Sequence, residues 1–420
     1  MINKLKPKSE FARNVLTLMT GTTIAQAIPI LISPILTRIY TPEDFGFFAL
    51  FISIVSIMSV IATGKYELAI ILPKSDNFSF QLLLLSIMIT FTISLFYLIG
   101  VFSVSFFYSF DLIYYFLPLA VMVIALNATF DKYNNKIKNY KIMSYQRFIK
   151  AGVESVSSVI FAIAFGINTG LIWGFILGYF FSTLGMLYVN YRLFKNKQFL
   201  PSLKKIKVLS KRYMNFPKYN MPHALLNSIS ANVPVFLIPI FYGNITLGLY
   251  AFGLRMVQAP LVLLSGTIFH VLGQKMAEEY ADGNQIQSIF IEAIKKLMLV
   301  AILLLPFFVF MDDLFAFIFG EAWREAGYFI QILSPWILLI FMVSPLATIP
   351  QIFNQQKKAL NIEIVSFILK ILVLSLGGLL LSIEYTLVLL MLVSVLIITY
   401  NFVWYFSLVR IKKEEKNFEQ

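Results

Sequence analysis

Six stretches of this chain carry no Asp, Glu, Lys or Arg: residues 15–37, 77–110, 155–191, 219–254, 326–356 and 385–409. About 20 apolar residues cross a bilayer, so the longer runs hold two crossings or the start of a second. Charge for a soluble surface is lacking, since 59% of the 420 residues are hydrophobic and only 13% are charged. The expected class is an all-α polytopic membrane protein. A β-barrel does not fit, because barrel strands are short and alternate polar with apolar. The absence of cysteine removes disulfide frameworks, thiolate metal sites and Cys nucleophiles. The start, "MINKLKPKSEFARN", is basic, but the apolar stretch after it has full membrane length and no small-residue cleavage site. It reads as a retained first span, not a signal peptide.

Twelve spans are expected, at roughly 15–37, 46–72, 78–106, 112–130, 149–166, 170–191, 222–242, 247–273, 293–319, 327–350, 360–381 and 385–408. The ninth is the weakest, because its uncharged centre runs only from Leu297 to Met311. Positive charge tests the count. The N-terminus carries Lys4, Lys6, Lys8 and Arg13; residues 131–150 carry six Lys or Arg, residues 192–218 nine, and the tail 410–420 four. The opposite side has Arg38 and Arg324, and its 312–326 loop holds Asp312, Asp313, Glu321 and Glu325. Lys and Arg accumulate on the cytoplasmic side, so both termini are expected there. The net charge of +13 reports this asymmetry and some attraction to anionic membrane lipid. No nucleic-acid partner is inferred from it.

A weak internal repeat orders the spans. Shifted by 202 residues, "IYTPEDFGFFAL" (39–50) falls on "FYGNITLGLYAF" (241–252), pairing Tyr40 with Tyr242, Gly46 with Gly248 and Ala49 with Ala251. Both copies join the first and second spans of a six-span half. An even number of spans per half makes the repeat parallel, about an axis along the membrane normal. Two bundles around a central cavity are therefore expected, residues 1–205 and 206–420, with the basic segment 192–218 as the cytoplasmic link. Alternating access would rock one bundle against the other.

Three segments carry a family resemblance. "LTRIYTPEDFGFFALF" (36–51) resembles the first external turn of the bacterial polysaccharide flippases, in the multidrug/oligosaccharidyl-lipid/polysaccharide exporter superfamily. "FIFGEAWREAGYFIQILSP" (317–335) is similar to that family's segment between the ninth and tenth spans, and "FNQQKKALNI" (353–362) to the turn before the eleventh. The resemblance implies a flippase of the bacterial cytoplasmic (inner) membrane. Its cargo would be an undecaprenyl-pyrophosphate-linked oligosaccharide, moved to the outer leaflet. It leaves open a polysaccharide polymerase and a chain-length regulator as partners. It also leaves open whether the pathway makes O-antigen of lipopolysaccharide, capsule, exopolysaccharide or a teichuronic-type polymer.

Among the few charges within the spans, those that stand out are Lys65 and Glu67 in the second, Glu154 in the fifth, Arg255 and His270 in the eighth, and Lys370 in the eleventh. Facing lipid is costly for a charge, so these should line the inner cavity, pair or snorkel. If the cargo carries pyrophosphate, Arg255 and Lys370 are the first candidates to attract it, followed by Arg38 and Lys65. Gln258 lies one turn after Arg255. Asn227, with Gln26, Asn127 and Asn232, is placed to meet sugar hydroxyls or to bond between helices. Structural pairing is the alternative: Lys370 with Glu154, Lys65 with Glu67, or Arg38 with Glu43 or Asp44. The charged 36–51 turn reads first as a capped gate turn, because its second copy loses every charge. Glu154 and Glu67 are the carboxylates available for coupling to a proton or sodium gradient, and His270 is a relay candidate. No P-loop, zinc motif or strand-borne nucleophile appears, so neither an enzyme, a bound metal nor a cofactor is expected. A drug/cation antiporter of the same superfamily is the other transporter reading, and a membrane polysaccharide polymerase the enzyme one.

Overall fold

A computed structural model describes the backbone of residues 10–109, 111–197, 199–281, 286–353 and 355–418. Side chains are described over the same residues except 10–19, 196–197, 262–271, 273–275, 277–278, 280–281 and 411–418. Among the described residues the regular elements are all helices. They are α1 (Glu10–Ile39), α2 (Pro42–Ala62), α3 (Asp76–Ser105), α4 (Leu117–Lys136), α5 (Tyr140–Phe165), α6 (Gly170–Lys197), α7 (Leu203–Arg212), α8 (Met221–Ala281), α9 (Gln287–Val309), α10 (Met311–Phe319), α11 (Arg324–Val343), α12 (Ile349–Ile352), α13 (Gln356–Leu380) and α14 (Ile383–Phe418).

Ten helices among the described residues are long and apolar enough to cross a membrane, and α9 with α10 makes an eleventh as a broken span bent by 67°. The difference from twelve lies in α8. At 61 residues it would extend about 90 Å as a straight helix, three times the hydrocarbon core of about 30 Å. It is not straight: Gly243 breaks it at φ 85, ψ 169, a left-handed backbone that glycine adopts without Cβ strain. The break falls at the expected connection between the seventh and eighth spans.

Two boundaries are corrected by the structure. The second span ends at Ala62, and Gly64 and Lys65 follow with φ 56 and φ 60 before a 3-10 turn over Tyr66–Ile71. Lys65 and Glu67 thus lie past the end of α2, not inside a span. The 312–326 segment is no open loop either. α10 occupies Met311–Phe319, and a 3-10 turn at Glu321–Trp323 leads directly into α11.

The chain forms two compact units, Met1–Ile229 and Ser230–Gln420. The expected boundary at 205/206 falls within α7, which packs on α3 in the first unit. In that unit α5 lies along α1 and α6, and α4 packs on α2, α3 and α6. The α5–α6 contact follows from sequence: Gly170, Gly174, Gly178 and Ser182 recur every four residues on one face of α6. A Cβ at Gly178 would lie 2.8 Å from the Lys150 carbonyl oxygen and 2.9 Å from Cβ of Glu154. Without side chains the two backbones approach closely, which is how helices gain contact where lipid supplies no hydrophobic drive. In the second unit α11 packs on α9, α10 and α14, and α13 on α14.

Candidate functional site

The turn between α1 and α2 is built as a cap. Thr41 is the N-cap of α2, with Pro42 in the first turn. Its hydroxyl accepts from the Asp44 N–H (3.3 Å), and the Asp44 carboxylate accepts from the Thr41 N–H (2.8 Å). Asp44 is thereby bonded within its own turn; Arg38 is exposed, and among the described residues it makes no ion pair with Glu43 or Asp44. Beside the cap, Tyr40 is buried and donates to the Ser158 carbonyl on α5 at 2.7 Å. Burial, then the nearby Asp44 charge, pushes its phenol up to about 12, so it stays a donor at neutral pH. Its repeat mate Tyr242 does related work in the other unit. That hydroxyl donates to the Leu381 carbonyl (3.2 Å) and lies 2.6 Å from Oγ1 of Thr386 on α14. Each copy of the repeated turn is thus anchored by its tyrosine to late helices of its own unit.

A cavity of about 240 Å3 opens beside the first turn, lined by Glu43, Asp44, Asp111, Tyr114, Asn168 and Thr169 among others. Three carboxylates suit no anionic group. This cavity does not suit phosphate.

The remaining candidates are dispersed. Lys65 Nζ lies 3.6 Å from Glu67 Oε1, with Glu67 buried and its Oε2 without a partner. That pair is the structural alternative for both residues. Glu154 is buried at the α5–α6 contact. Asn127 donates to Ser182 Oγ (2.9 Å), an interhelical bond from α4 to α6. Arg255 and Gln258 on α8 and Lys370 on α13 are half-buried and belong to the second unit, whereas Asn227 is exposed near the end of the first. The side chain of His270 lies outside the described residues.

Three groups were not singled out from sequence. Glu363, on α13 two turns before Lys370, accepts from Ser230 Oγ on α8 at 2.6 Å. It was legible as a carboxylate inside the expected eleventh span. Lys150 sits 4.0 Å from the centre of the Tyr179 ring. With Gln146, Glu154 and Ser158 it forms a polar row at four-residue spacing on α5, and that periodicity was the available signal. Asp131 on α4 lies 3.7 Å from Arg147 on α5, whose guanidinium also donates to the Thr22 hydroxyl on α1. In the second unit, Arg324 contacts Asp313 and Glu321, each at 2.5 Å, and Gln331 donates to Asp312 (2.6 Å). These contacts brace the α10–α11 corner.

Comparison with known proteins fits this architecture. A match to the family described as polysaccharide biosynthesis protein covers residues 35–328. The teichuronic acid biosynthesis protein TuaB of Bacillus subtilis (strain 168) is 26% identical over 136 residues, 32% of this chain and 28% of that protein. The aligned stretch thus spans little more than a quarter of the relative. Among solved structures, a MOP superfamily transporter from Pyrococcus furiosus aligns with a TM-score of 0.65 at 14% identity, covering 95% of this chain and 96% of that one. A multidrug resistance MATE family transporter of the same superfamily, in its inward-facing conformation, aligns with a TM-score of 0.69 at 14% identity, covering 94% and 96%. At such identity the structures speak for the fold, which is that of MOP superfamily transporters. The sequence match speaks for the family: this chain belongs to the polysaccharide biosynthesis proteins.

Proposed function

We propose that this protein is a flippase for a lipid-linked saccharide, moving a polyprenyl-pyrophosphate-linked repeat unit across the bacterial cytoplasmic membrane by alternating access. The observation that carries the reading is the conjunction of a polysaccharide-biosynthesis sequence with a transporter fold. A sugar polymer built on the cytoplasmic side needs its anionic, hydrophilic unit carried through hydrocarbon that rejects it. The lipid tail can stay in the bilayer, while the head needs a wet path with positive charge. Arg255 and Lys370, half-buried on α8 and α13, supply that charge in this reading, and Gln258 and Asn227 supply hydrogen bonds to sugars. Arg38 and Lys65 are secondary candidates. Glu154 and Glu363 are the carboxylates through which a proton or sodium gradient would be coupled. For the Pyrococcus furiosus transporter, a reverse polarity of the binding pocket suggests a different function within the superfamily. A cationic path here would be consistent with an anionic cargo. The TuaB similarity favours no single polymer, so O-antigen, capsule and teichuronic-type pathways all fit.

The test is genetic. Arg255→Ala and Lys370→Ala should each abolish surface polysaccharide at unchanged protein abundance, and Lys370→Arg should retain much of it. Full polysaccharide output from the double Ala variant would remove the cationic-path assignment. Cation efflux that depends on Glu154 or Glu363, with polysaccharide unaffected, would favour a drug/cation antiporter instead.

A further inference from the structure

The residues joining α6 to α8 do more than connect. From residue 155 to residue 277 the chain contains no Asp or Glu, and residues 192–218 carry nine Lys or Arg. The centre of this segment is α7, "LKKIKVLSKR". Ile206 and Leu209 are its buried residues, packed in a cluster with Tyr66, Ile70, Phe80 and Tyr133. The approach to α7 is pinned from α3: the buried Gln81 side chain donates to the Leu200 carbonyl (2.8 Å) and accepts from the Ser202 N–H (3.0 Å). Tyr66 adds a bond to the Ser210 carbonyl at 2.9 Å. This linker is therefore a fixed part of the first unit.

Pinning one face determines what the other presents. Lys204, Lys207 and Lys211 follow the i, i+3, i+7 spacing of a single helical stripe, opposite the buried pair, and all three are exposed. Lys205 and Arg212 are exposed beside them. Among the described residues, none of the four α7 lysines makes an ion pair. Interleaved with these cations are exposed apolar side chains: Leu200, Leu203, Val208, Met214 and Tyr219. The depth of α7 is set by α3, whose 30 residues extend about 45 Å and so exceed the hydrocarbon core by several turns. Gln81 lies in the second turn of α3, which puts α7 at the level of headgroups rather than of acyl chains.

The geometry points to α7 as a docking surface for the anionic phospholipid headgroups of the surrounding bilayer, with Lys204, Lys207 and Lys211 as the phosphate contacts. Charge complementarity selects the occupant. An acid-free cationic stripe attracts a negatively charged leaflet, and the exposed Leu203 and Val208 fit the boundary between headgroups and chains. A soluble acidic protein would satisfy the lysines but would leave those apolar residues in water. The assignment is independent of the cargo. It borrows from the proposed topology only the statement that the contacted leaflet is the cytoplasmic one.

The experiment uses the full-length protein in nanodiscs containing equal phosphatidylglycerol and phosphatidylcholine. Relative association of the two lipids is read from spin-labelled analogues at low and high salt. The wild type should prefer phosphatidylglycerol severalfold, with the preference shrinking as salt rises. The triple variant Lys204→Gln, Lys207→Gln, Lys211→Gln should lose most of that preference, and the triple Lys→Arg variant should keep it. Retention of the preference by the Gln variant would overturn the assignment, as would its loss in the Arg variant. Loss of the wild-type preference on adding inorganic pyrophosphate would also overturn it, by assigning the stripe to a soluble anion. Because no transport is measured, failure here is separable from failure of the flippase reading.

Discussion

Lys65 illustrates how a residue chosen for its charge is explained by its neighbour. At a left-handed backbone position after α2, its ammonium lies 3.6 Å from the buried carboxylate of Glu67. Removing one member of such a pair leaves the other charge without compensation in a site of low polarity. Lys65→Met should therefore destabilise the protein by about 1–3 kcal/mol, a range discounted for the partial exposure of Lys65. Lys65→Met combined with Glu67→Gln should recover most of the loss. Thermal unfolding in detergent measures both. A stable single variant that loses polysaccharide output would instead make Lys65 a cargo residue. Tyr40 shows the other side of residue-level reading. Its identity as a repeated tyrosine was visible in sequence, but its acceptor, 118 positions away on α5, was not, because no local pattern specifies a contact that distant.

Among the elements, α5 and α6 are the clearest case of sequence dictating packing. The glycines at 170, 174 and 178 clear one face of α6, and the polar row of α5 lies against it. Gly178→Ala should push the helices apart and lower the yield of folded protein by severalfold, since its Cβ would meet backbone atoms of α5. Gly185→Ala is the control, because a Cβ there meets nothing within 4 Å. Size-exclusion profiles of the two variants decide the matter, and equal yields would contradict the close approach. The membrane-length helices were legible, because long uncharged runs have few other fates, whereas the helix α7 inside the basic link was not. Nor were the ends. In sequence the second span runs on past Ala62, because Leu68–Ile71 is apolar again, yet Gly64 and Lys65 turn the backbone left-handed there. The α9–α10 break left only a trace in sequence: Asp312 and Asp313 end the uncharged run just after Phe310, but composition does not report a 67° bend. Glu363 gives little signal in sequence, being a single carboxylate in an apolar stretch, and its partner Ser230 is unremarkable there.

For the whole molecule, the distribution of Lys and Arg makes a topological claim. Both termini and the α6–α8 segment should be cytoplasmic, with the 38–45 turn and the α10–α11 corner external. Lys205→Cys and Ala322→Cys, introduced singly into this cysteine-free chain, can be probed on intact cells with an impermeant thiol reagent. Labelling is expected at 322 and not at 205; the reverse would invert the orientation. The family and the transporter fold were legible in the 36–51 turn and in the motifs at 317–335 and 353–362. The cargo contacts were not, because isolated charges in spans serve pairing and transport alike. The central claim is that this fold carries a lipid-linked saccharide, and its most direct test is translocation by the purified protein. Proteoliposomes loaded with a polyprenyl-pyrophosphate-linked saccharide on one leaflet can be treated with an impermeant glycosidase from the other side. The saccharide should become cleavable with the wild type and stay protected with the Arg255→Ala, Lys370→Ala double variant. Equal protection in wild-type and empty liposomes, with the protein folded and a drug cation transported, would contradict the claim.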